Sequence, residues 1–135
     1  MPRKERPIPV PKYWCYELGG GWQVWAGKTD EDNDLVTFTC GRPDDLWFHA
    51  SAVPGSHVLL KAPEGCNEAP TREMIHAAAA IAAYHSKARE SGKVSVCYTK
   101  VRCVGKEPKA KAGTVVISHE TILKVAPTLP DGQNA

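Results

Sequence analysis

The chain has 135 residues and a formal net charge of +2, and this length predicts one domain that can bury well over half of its unfolded surface. Its five cysteines are an odd number, with no CxxC pair and no apolar leader before them, which argues against a secreted disulfide framework and favours a cytoplasmic protein. The longest apolar run, residues 77–83, is too short to span a membrane, which needs about 20 residues.

The first part of the chain is predicted to form a leader and a β-hairpin. Residues 1–12 are rich in proline and charge and have no apolar period, which predicts a flexible leader. Two aromatic-rich runs, residues 13–17 and 22–26, flank three glycines at positions 19–21. Because glycine readily adopts the positive φ angles of tight turns, this pattern predicts a hairpin.

A short helix is predicted directly after the hairpin. Thr29 followed by Asp32 resembles a capping box, in which the threonine hydroxyl accepts a hydrogen bond from the first helical turn. We therefore expect a helix from about Asp30 to Phe38, although residues 36–39 also have the β-branched character of a strand.

The stretch DLWFHA at residues 45–50 is the most informative strand candidate. Successive strand residues point to opposite faces, so one face is predicted to be core and the other to carry an acid, an indole and an imidazole. The core face comprises Leu46, Phe48 and Ala50, and the opposite face comprises Asp45, Trp47 and His49. Pro54-Gly55 then turns the chain toward a second strand at Val58, which would bring His57 near His49 in one pocket.

The longest predicted helix runs from about Arg72 to Ser91. Thr71 is a suitable N-cap, and Gly92 suits the position just after a helix. The apolar stripe of this helix consists mainly of alanines, so another element can approach it closely. Lys87 and Arg89 would lie in its last turns, where they complement the helix dipole.

A strand followed by a basic loop is predicted next. Residues 93–104 alternate in the manner of a strand. Its polar face carries Tyr98, Lys100 and Arg102. Residues 105–113, which we call the lysine loop, present Lys106, Lys109 and Lys111.

The remaining elements complete a predicted α+β fold. Two further strands are expected at residues 114–118 and 121–125, with a turn between them, and residues 127–135 are expected to form a flexible tail. Antiparallel strands with one dominant helix and no βαβ alternation predict an antiparallel or mixed sheet packed against one long Ala-rich helix, plus the short helix after the N-terminal hairpin. The domain itself is predicted to span residues 13–126.

Basic and aromatic groups in one small domain are typical of RNA-binding surfaces. The lysine loop could contact a phosphate backbone or be only a solvated surface. Trp47 could stack on bases if exposed, or fill the core if buried. A second hypothesis makes Asp45, His49 and His57 a small hydrolytic or metal-assisted site, although the spacing of a zinc site is missing and we predict no metal or cofactor.

Several separated motifs resemble the NFACT-R domain of the ribosome-quality-control proteins related to Rqc2, NEMF and RqcH. They are DLWFHASAVPGSHV from Asp45, Gly27-Lys28, Asn33-Asp34-Leu35, AYHSKAR from Ala83 and VCYT from Val96. The family's characteristic positions that match are Asp45, Trp47, Phe48, His49, Gly55, Ser56, His57, Ser86, Lys87, Tyr98, Thr99 and Gly113. The chain departs from the family at His85, Cys97 and Ala112, where a tyrosine, an acid and a proline are common.

The resemblance implies an RNA-binding module. It implies action on structured RNA, either tRNA or ribosomal RNA, in translation or ribosome quality control, and contact with the large ribosomal subunit. We expect a stand-alone copy of the domain, with no membrane partner. The candidate RNA-binding residues are Asp45, Trp47, His49, Ser56, His57, Ser86, Lys87, Arg89, Tyr98, Lys100, Arg102, Lys106, Lys109 and Lys111.

Overall fold

The computed structural model describes residues 10–130, which form an α+β fold, so the ends of the predicted leader and tail lie outside the described residues. The elements in chain order are β1 (Tyr13–Gly19), β2 (Trp22–Gly27), α1 (Asp30–Leu35), β3 (Leu46–Ala50), β4 (Val58–Lys61), α2 (Arg72–Tyr84), β5 (Val94–Lys100), β6 (Val104–Gly105), β7 (Val116–Ile117) and β8 (Thr121–Val125). Six strands form one sheet in the order β1-β2-β4-β3-β5-β8, and β6 pairs with β7 separately. All of these pairings are antiparallel.

The N-terminal hairpin has the predicted glycine turn. Gly20 and Gly21 have φ angles of 63° and 85°, the positive values that a two-residue turn between twisted strands requires. β1 then pairs with β2 from Tyr13, opposite Gly27, to Gly19, opposite Trp22. The hairpin prediction is therefore confirmed.

The cap of α1 is the predicted one, and helical backbone covers the predicted residues, although only the first part of it is α-helical. The Thr29 hydroxyl oxygen accepts a hydrogen bond from the N–H of Asp32 at 3.1 Å. The α-helix ends at Leu35, and a single π-helical turn, Val36–Cys40, follows in place of a strand. Val36 and Thr37 of this turn are completely buried, so packing against the sheet decides the conformation of these β-branched residues.

Helix α2 begins as predicted, because the Thr71 hydroxyl oxygen accepts the N–H of Met74 at 3.2 Å. It has 13 residues and ends at Tyr84, so the expectation of one long helix reaching Ser91 is wrong. The chain leaves the helix because its next residues bond to another loop, as when the N–H of Lys87 donates to the carbonyl of Pro54 at 2.9 Å. Among residues 10–130, no helix is long and apolar enough to cross a membrane.

The sheet is covered on both faces. On one face the alanines of α2 pack against Phe48 and Val96. On the other face Val36, from the π-helical turn, packs with Trp47 and Leu59 in a second, smaller core. The predicted alternation of β3 is confirmed, but Trp47 is only 2% exposed, because the second face is not open to solvent.

The strand predicted over residues 93–104 is broken. β5 ends before Val101, where a 3₁₀ turn leads to β6 in the smaller sheet. The N–H of Val101 donates to the carbonyl of Asp45 at 2.9 Å, which draws the chain toward the residues that precede β3. Arg102 therefore does not share a strand face with Tyr98, contrary to the prediction.

The two strands predicted at the end of the domain belong to different sheets. β7 pairs with β6, whereas β8 pairs with β5 at the edge of the main sheet. The turn between them includes His119, which has a φ angle of 57°. This turn carries the chain from the smaller sheet to the main one.

Candidate functional site

A cleft lined by basic and aromatic side chains lies between the end of β2, the start of α1 and the chain that follows α2. We call it the basic cleft, and its volume is about 370 Å³. Its basic and aromatic residues include Trp14, Lys28, Tyr84, Lys87 and Arg89, and Ser56 and Ser86 also line it. The structure thus brings together four of the residues predicted from the sequence, which come from two separated motifs.

A close backbone approach builds one side of the basic cleft. Gly55 and Ser86 form an isolated antiparallel β-bridge, and the N–H of Ser56 donates to the carbonyl of His85 at 3.0 Å. A Cβ atom added to Gly55 would lie 3.1 Å from the Cβ atom of Ser86. A side chain at this position would therefore have to push the chain after α2 aside by a few tenths of an ångström.

The two serine hydroxyls of the basic cleft are used inside the protein. Ser56 Oγ donates to the carbonyl of Gly27 at 2.7 Å, and Ser86 Oγ donates to the carbonyl of Ala83 at 2.7 Å. The first bond joins the end of β2 to the turn around Gly55, and the second joins the end of α2 to the chain that follows it. These residues therefore shape the cleft, and the groups that can meet a ligand are its cations.

Two of the cleft's cations rest over aromatic rings. Lys28 Nζ lies 5.1 Å from the centre of the Trp14 ring, and the guanidinium carbon of Arg89 lies 4.7 Å from the centre of the Tyr84 ring. Cation–π attraction acts at these distances and restrains the two long side chains. Lys87 is exposed beside them, so three cations face the same space.

His85 forms a neutral support behind the cations. Its ring stacks on Trp14 with 4.3 Å between centres, and its Nε2 atom lies 2.6 Å from the hydroxyl of Tyr16. Burial, and then the charge of Arg89, lower the pKa of His85 to about 4. An uncharged imidazole at neutral pH does not repel the neighbouring cations.

Trp14, Lys28 and Tyr84 are not among the residues predicted from the sequence. Trp14 lies in β1, Lys28 directly follows β2, and Tyr84 is the last residue of α2. Since they are far apart in the chain, no local spacing indicates that they meet. Lys28 and Tyr84 belong to motifs that carry the family resemblance, and that is the one signal that could have identified them.

A second cavity, the His49 pocket, opens on the other face of the sheet. Its volume is about 420 Å³, and its lining includes both predicted histidines. The rings of His49 and His57 meet edge to face, with 5.5 Å between their centres and an angle of 86°. The prediction that these two histidines line one pocket is confirmed.

A buried chain of hydrogen bonds fixes the tautomer of the neutral His57 ring. Its Nε2 atom donates to the carbonyl of Gly113 at 3.1 Å, since a carbonyl can only accept. Its Nδ1 atom therefore accepts from the Thr37 hydroxyl at 2.9 Å, and that hydroxyl accepts the indole N–H of Trp47 at 3.1 Å. Burial is the main reason that the pKa of His57 falls to about 4.

Two residues predicted to contact RNA are thus core residues. His57 is 1% exposed and Trp47 is 2% exposed, because the π-helical turn and the end of the lysine loop cover them. The indole of Trp47 cannot serve as an exposed stacking platform in this arrangement. His49 is half-buried and lines the pocket.

Asp45 does not join the two histidines. Its carboxylate is bound to Lys61, and it lines a different cavity, next to the start of β3, where Asp44 and Lys100 also lie. Among residues 10–130, no three His, Cys, Asp or Glu side chains are grouped so that they could hold a metal ion. The acid that the hydrolytic hypothesis requires is therefore engaged elsewhere.

The predicted residues of β5 and its extension also lie apart from the basic cleft. The Tyr98 ring stacks on Phe48 with 5.3 Å between centres. Lys100 and Arg102 both pair with the exposed carboxylate of Asp44. None of the three lines the basic cleft.

The lysine loop has one structural lysine and two exposed ones. Lys106 Nζ donates to the carbonyls of Lys111 and Thr114 at 2.8 and 3.0 Å. It also pairs with the Asp34 carboxylate at 3.1 Å, which fastens the loop to α1. Lys109 and Lys111 are exposed, so only these two present their ammonium groups outward.

The chain matches the family model described as the NFACT protein RNA binding domain over residues 12–119. It is 37% identical over 125 residues to the Rqc2 homolog RqcH of Bacillus subtilis (strain 168), an alignment that covers 93% of this chain and 21% of that protein. It is also 37% identical over 105 residues to the Rqc2 homolog RqcH of Streptococcus suis (strain 05ZYH33), covering 78% of this chain and 18% of that protein. The chain therefore spans about a fifth of the length of these curated relatives.

A solved structure has a similar fold. The C-terminal part of the fibronectin/fibrinogen-binding protein from Streptococcus suis matches with a TM-score of 0.78 and 33% sequence identity. The match covers 93% of this chain and 49% of that one. The arrangement of strands and helices described above is therefore shared with an experimentally determined structure.

Proposed function

Because the chain belongs to the NFACT RNA-binding domain family, we propose that it binds RNA and that the basic cleft holds the RNA backbone. The observation that carries this proposal is the convergence of Lys28, Lys87 and Arg89 on one cleft. Phosphate contacts from lysine and arginine supply most of the affinity of proteins for nucleic acids. A cleft with three such groups and a single acid, Asp30, in its lining matches that chemistry.

The geometry also favours a defined position for the backbone over a loose electrostatic attraction. The aromatic rings beneath Lys28 and Arg89 restrain both side chains, so less side-chain entropy is lost when a phosphate binds. The guanidinium of Arg89 can donate two parallel hydrogen bonds to one phosphate. The exposed lysines of the lysine loop, Lys109 and Lys111, act as further contacts at longer range.

The RNA is a structured one, tRNA or ribosomal RNA, and the setting is ribosome quality control in the cytoplasm, with the large ribosomal subunit as a further partner. This part of the proposal is supported by the relatives named RqcH. A fixed cleft suits a folded RNA, whose phosphates have defined positions, better than a flexible strand. The hydrolytic alternative is not retained, because Asp45 is separated from the histidines.

The experiment compares two double variants, each of which removes two lysine side chains. One variant removes them from the basic cleft and the other from outside it. Lys28→Ala with Lys87→Ala alters the basic cleft, and Lys93→Ala with Lys124→Ala removes two exposed lysines that do not line it. Binding to labelled tRNA and to a synthetic ribosomal RNA stem-loop is measured by fluorescence anisotropy at several salt concentrations. Each lost phosphate contact lowers the slope of log affinity against log salt by about one unit.

We expect the cleft variant to lose affinity and about two units of that slope, while the control keeps the parent slope. If the two variants bind alike at every salt concentration, the basic cleft is not the RNA site. The parent's preference between the two RNAs at one salt concentration decides which class of RNA it takes.

A further inference from the structure

The His49 pocket has the opposite charge character to the basic cleft. Its lining contains no lysine or arginine, and its acid is Glu120. The other lining residues are Trp47, His49, Ala50, Ser51, Ala52, His57, Cys97, Gly113, Thr114, Val115, Ile117 and Ile122. Such a pocket repels phosphate and suits an uncharged, largely apolar group that carries a hydrogen-bond donor for the acid.

The back of the pocket is a rigid aromatic surface. The His49 ring lies nearly parallel to the Trp47 indole, at an angle of 10° with 5.9 Å between centres. His57 meets it at right angles and is fixed by the hydrogen bonds described above. Burial lowers the pKa of His49, so its ring offers a stacking face without a charge. Histidine is among the side chains on which proteins stack unpaired RNA bases.

The floor of the pocket contains one buried hydroxyl and one buried thiol. Ser51 Oγ is buried beside the Cys97 thiol and closed off from solvent. The neighbouring thiol of Cys97 donates to the carbonyl of His49 at 3.3 Å, and burial raises the pKa of this thiol, so it is no nucleophile. The carboxylate of Glu120 in the wall is the group that can accept hydrogen bonds from the edge of a heterocycle.

The position of the pocket relates it to the basic cleft. One short segment, residues 51–57, separates the two: Ala52 and His57 line the pocket, whereas Pro54, Gly55 and Ser56 line the cleft. A chain of nucleotides that crosses this segment can leave its phosphates on the cations and turn a base to the other side. The volume of about 420 Å³ falls within the range of about 300 to 1,000 Å³ that small-ligand pockets occupy.

We propose that the His49 pocket receives one unstacked base of the RNA whose backbone lies in the basic cleft. The inference rests on the proposed function, because it adds a contact with one base to the contact that the basic cleft makes with the RNA backbone. The base stacks on His49, its edge faces Glu120, and its sugar lies over Ala52. The basic cleft supplies affinity for any RNA, and the pocket supplies selection of an unpaired nucleotide.

The test fills the pocket without touching the cleft. Ile122 is 53% exposed and lies in its wall on β8, so Ile122→Trp occupies the space with a residue that strands accept. Thr121→Trp is the matched control, because it adds the same ring on the opposite face of the same strand. Thr114→Trp fills the pocket from the residue that follows the lysine loop and serves as a second variant, in case the change on β8 disturbs the sheet.

The probe is the synthetic stem-loop RNA with single abasic nucleotides placed in turn through its loop. In the parent and in Thr121→Trp, we expect one abasic position to weaken binding at least about fivefold, since a stacked base contributes that much. In Ile122→Trp and Thr114→Trp, we expect the same abasic position to leave the affinity unchanged, because the tryptophan already fills the pocket. The salt slope of all four proteins stays the same, since no phosphate contact is altered.

The two proposals fail in different ways. If the stem-loop binds the parent with a steep salt slope but every abasic position binds equally, the base pocket is overturned and the basic cleft stands. The base pocket is also overturned if a folded filling variant keeps the abasic profile of the parent. If the parent binds no RNA, or the cleft variant keeps the parent salt slope, the proposed function itself has failed.

Discussion

Lys61 Nζ donates a hydrogen bond to the carboxylate of Asp45 at 2.9 Å, and both side chains are largely buried, at 13% and 7% exposure. The ammonium group also donates to the carbonyl of Cys40 at 2.7 Å. The carboxylate accepts a second bond, from the N–H of Arg42 at 2.9 Å. The pair therefore fastens the chain that precedes β3 to the end of β4, and Asp45 has a structural role.

Asp45→Ala should be strongly destabilising. It leaves the Lys61 ammonium in a mostly buried site without its counter-ion, and breaking such a pair costs about 3 to 5 kcal/mol. Adding Lys61→Met should restore part of the loss, because the second substitution removes the uncompensated charge. The free energy of unfolding in urea measures both effects.

The control for this prediction is Asp44→Ala. Asp44 is 71% exposed in its ion pairs with Lys100 and Arg102, and exposed pairs contribute about 0 to 1 kcal/mol. If Asp45→Ala is as mild as Asp44→Ala, the buried pair does not stabilise the fold.

Thr37→Val tests the hydrogen-bond chain behind the His49 pocket. Valine keeps the shape of the side chain but leaves the indole N–H of Trp47 and Nδ1 of His57 without the partner they share. Each buried polar group left unpaired costs about 1 to 3 kcal/mol, so for the two groups we expect a loss in unfolding free energy of about 2 to 6 kcal/mol. Thr39→Val, at an exposed position of the same π-helical turn, should change stability by less than about 0.5 kcal/mol.

Stability should decrease in mild acid. His57 binds a proton near its ordinary pKa of 6.5 when unfolded but only near pH 4 when folded. The unfolded chain therefore binds more protons between these values, so the free energy of unfolding is highest above pH 6.5 and falls as the pH drops toward 4. The shift corresponds to about 3 kcal/mol from this residue. Half-buried His85 adds to the loss of stability in mild acid, since burial also lowers its pKa to about 4.

Urea unfolding at pH 7, 5.5 and 4.5 measures this dependence. His57→Leu should be less stable than the parent at pH 7, because it breaks the hydrogen-bond chain, and should lose less stability on acidification. A parent whose unfolding free energy is the same at all three pH values would contradict the assignment of a buried neutral His57.

Local features of the fold could be predicted from the sequence. Thr29 and Thr71 cap helices as expected, the glycines at positions 19–21 make the hairpin turn, and Trp47 and Phe48 lie on opposite faces of β3. Each of these depends on residues within a few positions of one another, where backbone geometry decides the outcome. The α+β class could be predicted as well, because the strand patterns and one dominant helix show no βαβ alternation.

The end of α2 could not be predicted in the same way. Residues 85–91 have no residue that forbids helix, and Gly92 suggests a later end. The helix stops at Tyr84 because the following backbone groups bond to the turn at Pro54, about thirty residues earlier in the chain. Lys87 and Arg89 consequently lie on a turn at the basic cleft, not in the last turns of a helix.

The sequence by itself determined the local elements, the caps and the family, since these follow from spacing and residue type. Only the tertiary structure decided which polar residues are available to a ligand. Trp47, His57 and Asp45 are buried because an element from elsewhere in the chain covers or pairs with each of them. Lys28 meets Lys87 only because β2 and the end of α2 are brought together through the turn at Gly55. Burial and charge proximity depend on long-range packing, which no local pattern encodes.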